Sequence, residues 1–434
     1  MTKRLHHHDP NFADSVHALV TERREQQHNV DGVVQDVIAA VRAQGDEALL
    51  HYTHKWDDVS LTLESLAVPQ EACQQAWQSL TESQRGALKH AAKRVRAFHE
   101  KQRPNDQHDH DEHGITLGMR WQAIDSVGLY VPGGTAAYPS SVIMNAVPAQ
   151  VAGVQRLVMV VPAPDGTINP LVLATAALLG IEEIYQVGGA QAIAALAYGT
   201  NTIAKVDKIV GPGNAYVTAA KKHVFGSCGI DMIAGPSEVL IVADASARAD
   251  WLAIDLLAQA EHDTDAQSIL ITDNEQLAAE VSVAVAEYLK SLPRADIAAA
   301  SWKNHGALIV VDDLYKQAPP IVDALAPEHL ELAMNKPEAF MKTIRYAGAI
   351  FLGHHTPEAI GDYIGGPNHV LPTSRAARFS SGLSVYDFLV RNTYMQCNEK
   401  QLRQLADDAI TLAQAEGLDA HARSLSVRIN HNKP

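Results

Sequence analysis

The segment KIVGPGNAYVTAAKKH, residues 208–223, decides how this chain is read. Lys208 to Val210 is a short β-branched run, Gly211-Pro-Gly-Asn214 is a turn, and Ala215 to His223 has the alanine-rich pattern of a helix. A strand that passes through glycines straight into a helix is half of a parallel crossover unit. The same alternation extends in both directions. Strand-like runs occur at Ser126 to Val131, Arg156 to Val161, Glu183 to Val187, Glu238 to Val242, Ser268 to Thr272, Ala307 to Val311 and Gly348 to Leu352. Helical stretches lie between the earlier ones at Met144 to Ala152, Pro170 to Leu179, Ala190 to Tyr198 and Ala249 to Glu261. Two successive sets of this kind predict an α/β chain with two Rossmann-like but incomplete parallel-sheet domains. A helical region, Phe12 to Glu100, precedes them, and a mostly helical arm, Ser384 to Arg428, follows, with Glu399 to Ala415 amphipathic. The expected division is 1–110, 111–240, 241–383 and 384–434, the first part packing on the core. The polar, proline-interrupted stretch Gln102 to Gly114 reads as a surface loop.

At 434 residues the chain exceeds what one hydrophobic core usually supports, in keeping with more than one domain. Its 47% hydrophobic and 20% charged residues are those of an ordinary globular protein. A net charge of −15 with no basic face argues against nucleic acid and for a small-molecule partner. Cys73, Cys228 and Cys397 are odd in number and far apart, so neither a disulfide framework nor a thiolate metal site is indicated, and a reducing cytoplasm fits. The amino terminus lacks an apolar targeting core and no run is long enough to span a bilayer, so no membrane role is expected.

Two glycine-rich turns, Val187-Gly-Gly-Ala-Gln191 and Gly211-Pro-Gly-Asn214, connect strands to helices where amides could receive a pyrophosphate. A third, Gly128 to Gly134, would add Tyr130 to the same pocket. Plain tight connections explain such turns equally well, and the last glycine of the usual fingerprint is missing. In Gln259-Ala-Glu-His262, residues three apart share one helical face and could converge on an ion while Glu261 points elsewhere. Asp362 and His421 are further ligand candidates, and a nitrogen and oxygen set without sulfur suits a catalytic zinc. A capping aspartate or a satisfied histidine accounts for any one of them alone. The other histidine clusters, at 6–8, at 108, 110 and 113, and at 354–355, read as solvated surface. Glu328-His329, after the break at Ala326-Pro327, places an acid beside a base on a loop or helix start, where a solvated pair is the competing account. No cysteine falls in any of these motifs. An aldehyde oxidised here would therefore be attacked by water activated by Glu328 or His329, without a thiohemiacetal.

Taken together, these segments resemble histidinol dehydrogenases. The resemblance runs from about Ala40 to Arg428 through VGLYVPGG at 127–134, VGGAQAIAALAYGT at 187–200, KIVGPGNAYVTAAK at 208–221, IDMIAGPSEVL at 230–240, QAEHD at 259–263, APEHLE at 326–331, GDYIGGPNHVLPT at 361–373 and AEGLDAHARS at 415–424. It implies oxidation of L-histidinol through the aldehyde to L-histidine, the last steps of histidine biosynthesis, with NAD and one zinc per subunit. By resemblance Gln259, His262, Asp362 and His421 are zinc ligands, and Ser237, His369 and Glu416 join Gln259, His262, His329, Asp362 and His421 around the substrate. Tyr130, Gln191 and Asn214 match NAD contacts in the domain at 111–240, and Glu328 and His329 match the acid/base pair in the domain at 241–383. The family also implies a homodimer in which the arm at 384–434 brings Glu416 and His421 to the partner's zinc. Asp125-Ser126 stands where the family often has an arginine before the valine, and neither the first 25 residues nor 107–113 follows a family pattern.

A same-fold dehydrogenase for another primary alcohol, such as a sulfonated diol, is the nearest alternative. Glu416 speaks for a cationic substrate that a sulfonate is not. A zinc hydrolase using Glu328 is opposed by the dinucleotide-like turns. A non-catalytic zinc module is opposed by the presence of every acid, base and ligand position.

Overall fold

In a computed structural model that describes residues 2–21, 30–133, 138–233 and 235–430, alternate residues of the strands enter different cores. Gly134, from one of the glycine turns, and Ala234 lie outside the described residues. The strands in chain order are β1 (Lys3–His6), β2 (Gln107–His110), β3 (Thr116–Ala123), β4 (Ser126–Tyr130), β5 (Arg156–Val160), β6 (Glu183–Tyr185), β7 (Lys208–Val210), β8 (Gly229–Ile230), β9 (Glu238–Ala243), β10 (Gln267–Thr272), β11 (Ala307–Val310), β12 (His329–Ala333), β13 (Ala349–Leu352) and β14 (Leu389–Gln396). The first sheet has the order β6-β5-β4-β7-β8 and the second β1-β11-β10-β9-β12-β13, every pair parallel. Both sheets have helices on both faces. In β5, Val158 and Val160 join the core under helices Asp31–Gln44 and Gly189–Tyr198, while Met159 joins that under Pro139–Ala152 and Pro170–Leu179. In β9, Leu240 and Val242 face one core while Val239 and Ile241 face the other. Strands covered on both sides must be apolar throughout, which is why these runs are continuous and β-branched.

Three departures from the sequence reading share one cause. The chain opens with β1, not with helix, and β1 pairs with β11 as the edge of the second sheet, so the amino-terminal part serves both sheets. The polar stretch read as a loop contains the exposed strand β2, and the arm read as mostly helical begins with β14. These two flank β3 in a small antiparallel sheet. Exposed polar strands carry no hydrophobic signal, so nothing in their composition separates them from loops. The division expected at residue 240 falls within β9, which belongs wholly to the second sheet. Among the described residues, no helix is long and apolar enough to cross a membrane.

Leu240 is fully buried in β9, between β10 and β12. Leu240→Ala should lower folding stability by about 2–5 kcal/mol through lost transfer energy and a residual cavity. The urea midpoint measures this, and an unchanged midpoint would contradict the core assignment.

Candidate active site

The two parallel sheets meet end to opposite end. The first contributes the carboxyl ends of its strands: Tyr130 closes β4, and Gly211 follows β7. The second contributes amino ends, because Ser237 precedes β9, His262 lies before β10, and His329 opens β12. A cleft of about 1160 Å³ lies between them, beyond the roughly 300–1,000 Å³ of a pocket for one small ligand. Tyr130, Gln191, Asn214, Ser237, His262, Glu328, His329, Asp362 and His369 all line it. Gln259 is fully buried in the last turn of helix Ala249–Ala260. Glu416 and His421 are exposed on the arm and are not among the lining residues.

The first-sheet side is shaped by glycines that admit close approach. A Cβ at Gly188 would stand 2.4 Å from the Pro162 side chain, and one at Gly211 would stand 2.1 Å from the Tyr130 carbonyl. Helix Gly189–Tyr198 starts without a side-chain cap, and the Gly189 amide donates to the Tyr130 hydroxyl at 3.1 Å. Gln191, 1% exposed, leaves its Oε1 without a hydrogen-bond partner among the described residues. The other helix start differs from the sequence expectation. Asn214 Oδ1 already accepts from the Tyr216 and Val217 amides, so those donors are spent internally. Lys221 and Asp231 form a buried ion pair under this turn, with Lys221 Nζ donating to the Gly211 carbonyl at 3.0 Å and the Gly211 amide donating to Asp231 at 2.7 Å.

On the second-sheet side, Glu328 and His329 are buried, not a solvated loop pair as the competing account had it. Glu328 Oε2 accepts from the Glu238 amide at 2.9 Å, and His329 Nδ1 lies 3.0 Å from the Glu238 carbonyl. A carbonyl only accepts, so Nδ1 carries the proton and Nε2 is the lone-pair nitrogen. Nε2 has no hydrogen-bond partner among the described residues. Burial pushes the His329 imidazolium down to about 3, with the neighbouring His262 and His369 adding to the shift, so the ring is neutral at physiological pH. His369 is held the same way, its Nδ1 at 2.9 Å from the Asp362 carbonyl and its pKa pushed by burial down to about 4.

His262 lies beyond the end of its helix, in a turn where its amide donates to the Gln259 carbonyl at 3.2 Å. The two residues therefore share a turn and not the one helical face that their sequence spacing suggests. With its nitrogen turned toward Glu358, the Gln259 amide donates at 2.9 Å, which leaves its oxygen for a cation. Ligand atoms of His329, Glu358 and Asp362 lie within 4.8 Å of one another. Burial lifts Asp362 to about 7 and Glu358 well above its ordinary value, with the Asp362 charge adding to the latter. A cation among them would favour the ionised forms. Glu358, absent from the sequence reading, sits four residues before Asp362 on helix Glu358–Tyr363, and that i,i+4 spacing was the signal available. Behind it, Glu331 accepts from the Glu358 amide at 2.5 Å.

The sequence profile of one family, described as histidinol dehydrogenase, matches residues 20–429. The chain is 56% identical over 430 residues to a histidinol dehydrogenase of Rhodospirillum rubrum, covering 99% of each. It is 57% identical over 426 residues to that of Mesorhizobium japonicum, covering 98% of this chain and 99% of the other. The crystal structure of histidinol dehydrogenase from Elizabethkingia anophelis superposes with a TM-score of 0.94 at 35% identity, covering 100% of this chain and 99% of that one.

The buried acids make the metal-free protein sensitive to pH. Burial raises Glu331 from 4.5 to about 8 and Asp255 from 3.8 to about 6. A raised carboxyl binds its proton more tightly in the folded chain, so its contribution is full below the unfolded value and is lost as pH rises toward the folded one. With chelator present, the melting temperature should fall between about pH 5 and 8, and Glu331→Gln should flatten that slope. A slope of opposite sign would contradict the assignment.

Proposed function

This chain belongs to the histidinol dehydrogenase family, and from that premise we propose that it oxidises L-histidinol through L-histidinal to L-histidine with two NAD and one zinc per subunit. The observation that carries the reading is the buried His329, neutral and with its proton fixed on Nδ1, in the cleft that also holds the glycine turns. Its Nε2 is the base for the substrate hydroxyl proton.

The residues present fit the two groups the reading needs. Gln259 oxygen, His262 and Asp362 offer the nitrogen and oxygen donors of a catalytic zinc, with no sulfur among them. The unpartnered Gln191 oxygen and the uncapped helix start at Gly189 fit a polar cofactor. When bound, zinc supplies a fixed positive charge for the substrate's imidazole and amino nitrogens, and NAD supplies the hydride acceptor. Tyr130, Gln191 and Asn214 orient the cofactor, while Ser237 and His369 close around the substrate. His329 accepts the hydroxyl proton in the first oxidation. After His329 passes that proton to solvent, Glu328 polarises a water for addition to the aldehyde carbon and His329 takes the proton that water releases; the hydrated carbon then gives up the second hydride as its hydroxyl loses a proton, leaving the carboxylic acid. No cysteine lines the cleft among the described residues, which supports water as the nucleophile.

Glu416 and His421 complete the site from a partner subunit in this reading. The support is their exposure here and that of β14, which is open along seven of its eight residues, including Val390 and Met395.

Metal-loaded protein should form about two NADH per histidinol, the ratio a four-electron oxidation requires. His329→Gln should lower the alcohol step by about 10²–10⁴-fold, and Glu328→Gln should harm histidinal oxidation more than histidinol oxidation. Equal losses on both substrates would contradict that division. Mixed dimers of His262→Asn and His421→Asn subunits should recover activity, because one site then keeps both ligands. Verified mixed dimers without activity would sink the shared site.

A further inference from the structure

Away from the cleft, the histidine triplet at the start of the chain is brought against an acid from the middle of it. Parallel pairing of β1 with β11 aligns His6 with Val310, so the residues after each strand leave the sheet side by side. The chain then turns: the Asp9 amide donates to the His6 carbonyl at 2.8 Å, the His6 amide donates to Asp9 Oδ2 at 2.8 Å, and the His8 amide donates to His6 Nδ1 at 3.3 Å. In an extended strand His7 and His8 would face opposite ways. In this turn both reach the carboxylate of Asp312, His7 Nδ1 at 3.1 Å from Oδ2 and His8 Nε2 at 3.2 Å from Oδ1. The loop presenting Asp312 is itself fixed, since Gln317 Oε1 accepts from the amides of Asp312 and Asp313 at 2.8 and 2.9 Å.

We propose that His7, His8 and Asp312 form a second metal site, for a divalent transition ion such as Zn²⁺, Ni²⁺ or Cu²⁺, that joins the edge strand β1 to the loop after β11. The three ligand atoms lie within 4.8 Å of one another, the compactness one ion demands. Two donors held about 2.0–2.2 Å from a tetrahedral ion stand roughly 3.3 Å apart, with lone pairs aimed at the ion and not at each other. His7 Nδ1 fits that arrangement: it is sealed from solvent and, among the described residues, makes no hydrogen bond, although the carboxylate is 3.1 Å away. Imidazole with carboxylate selects late transition ions over magnesium or calcium, which prefer all-oxygen sets. His6 is turned aside, its Nδ1 accepting from the His8 amide and its Nε2 lying 3.6 Å from Glu275, which leaves water to complete the coordination. Read from the sequence alone, the triplet is solvated surface. The acid that changes the reading is about three hundred positions away, beyond the reach of any local pattern.

The site is independent of the catalytic zinc and is tested apart from it. In the full-length His262→Asn chain, which lacks a ligand of the cleft, titration with Zn²⁺ should still find one ion per subunit. Asp312→Asn added to that chain should weaken it on the order of tenfold or more. His8→Gln should do the same, and zinc should raise the melting temperature of the His262→Asn chain but not of the double variants. In the otherwise natural chain, Asp312→Asn should leave NADH formation unchanged. Zinc binding to the His262→Asn chain that Asp312→Asn and His8→Gln do not alter, or no binding at all, would overturn the proposal.

Discussion

One hydrogen bond organises the centre of this molecule: the Glu238 carbonyl at the start of β9 accepts from Nδ1 of His329 at the start of β12, at 3.0 Å. It costs no additional structure, because parallel register already sets His329 beside Val239. The bond decides which imidazole nitrogen is basic, and burial decides that the ring stays uncharged. The amide of the same residue is occupied by Glu328, so the acid and base of the proposed chemistry both hang from the backbone of Glu238. Moving β12 by one residue would carry His329 to the other face of the sheet and break both contacts at once.

The same region concentrates acidity to a degree that a structural core would not tolerate for its own sake. Glu331, Glu358 and Asp362 lie behind and beside the base, all with raised proton affinity, and among the described residues no Lys or Arg forms an ion pair with them. Buried like charges shift toward neutral forms or attract a cation. The Lys221–Asp231 pair under the other glycine turn shows the contrast, since there a structural carboxylate has its counter-ion within the chain. The acids next to the base therefore either hold protons or balance the cation of the proposed chemistry, and Asp362 is the one that reaches the cleft wall.

Much of this was legible in the sequence, for identifiable reasons. The parallel strands are apolar on both faces, so β4, β5, β7, β9 and β10 stand out within a residue or two of their true ends. Glycines before helices marked the first-sheet wall, and adjacency marked Glu328-His329. What was not legible depended on tertiary placement. β12 was missed because its acidic Glu331 breaks the apolar run, and that residue is buried only by virtue of its partners. β1, β2 and β14 are short or polar, so their pairing is decided by other segments. Glu358 has no local mark beyond its spacing to Asp362, and only the fold places Gln259 and His329 around it.

The meeting of opposite strand ends explains why two sheets are needed at all. Carboxyl ends of parallel strands offer amides and glycine turns suited to a dinucleotide, and they do so in the first sheet. Amino ends offer something different: the residue opening a strand has its side chain at the rim while its backbone is already locked in the ladder. His329 in β12 uses this, and Ser237, just before β9, has its carbonyl tied to the Gln267 amide at 2.9 Å. A base placed there is held by main-chain bonds on both sides, whereas one on a free loop would have to be ordered at each turnover. Positional accuracy of that kind is what a reaction relying on orientation asks of its scaffold. It is supplied here by sheet register and not by an added network of side chains.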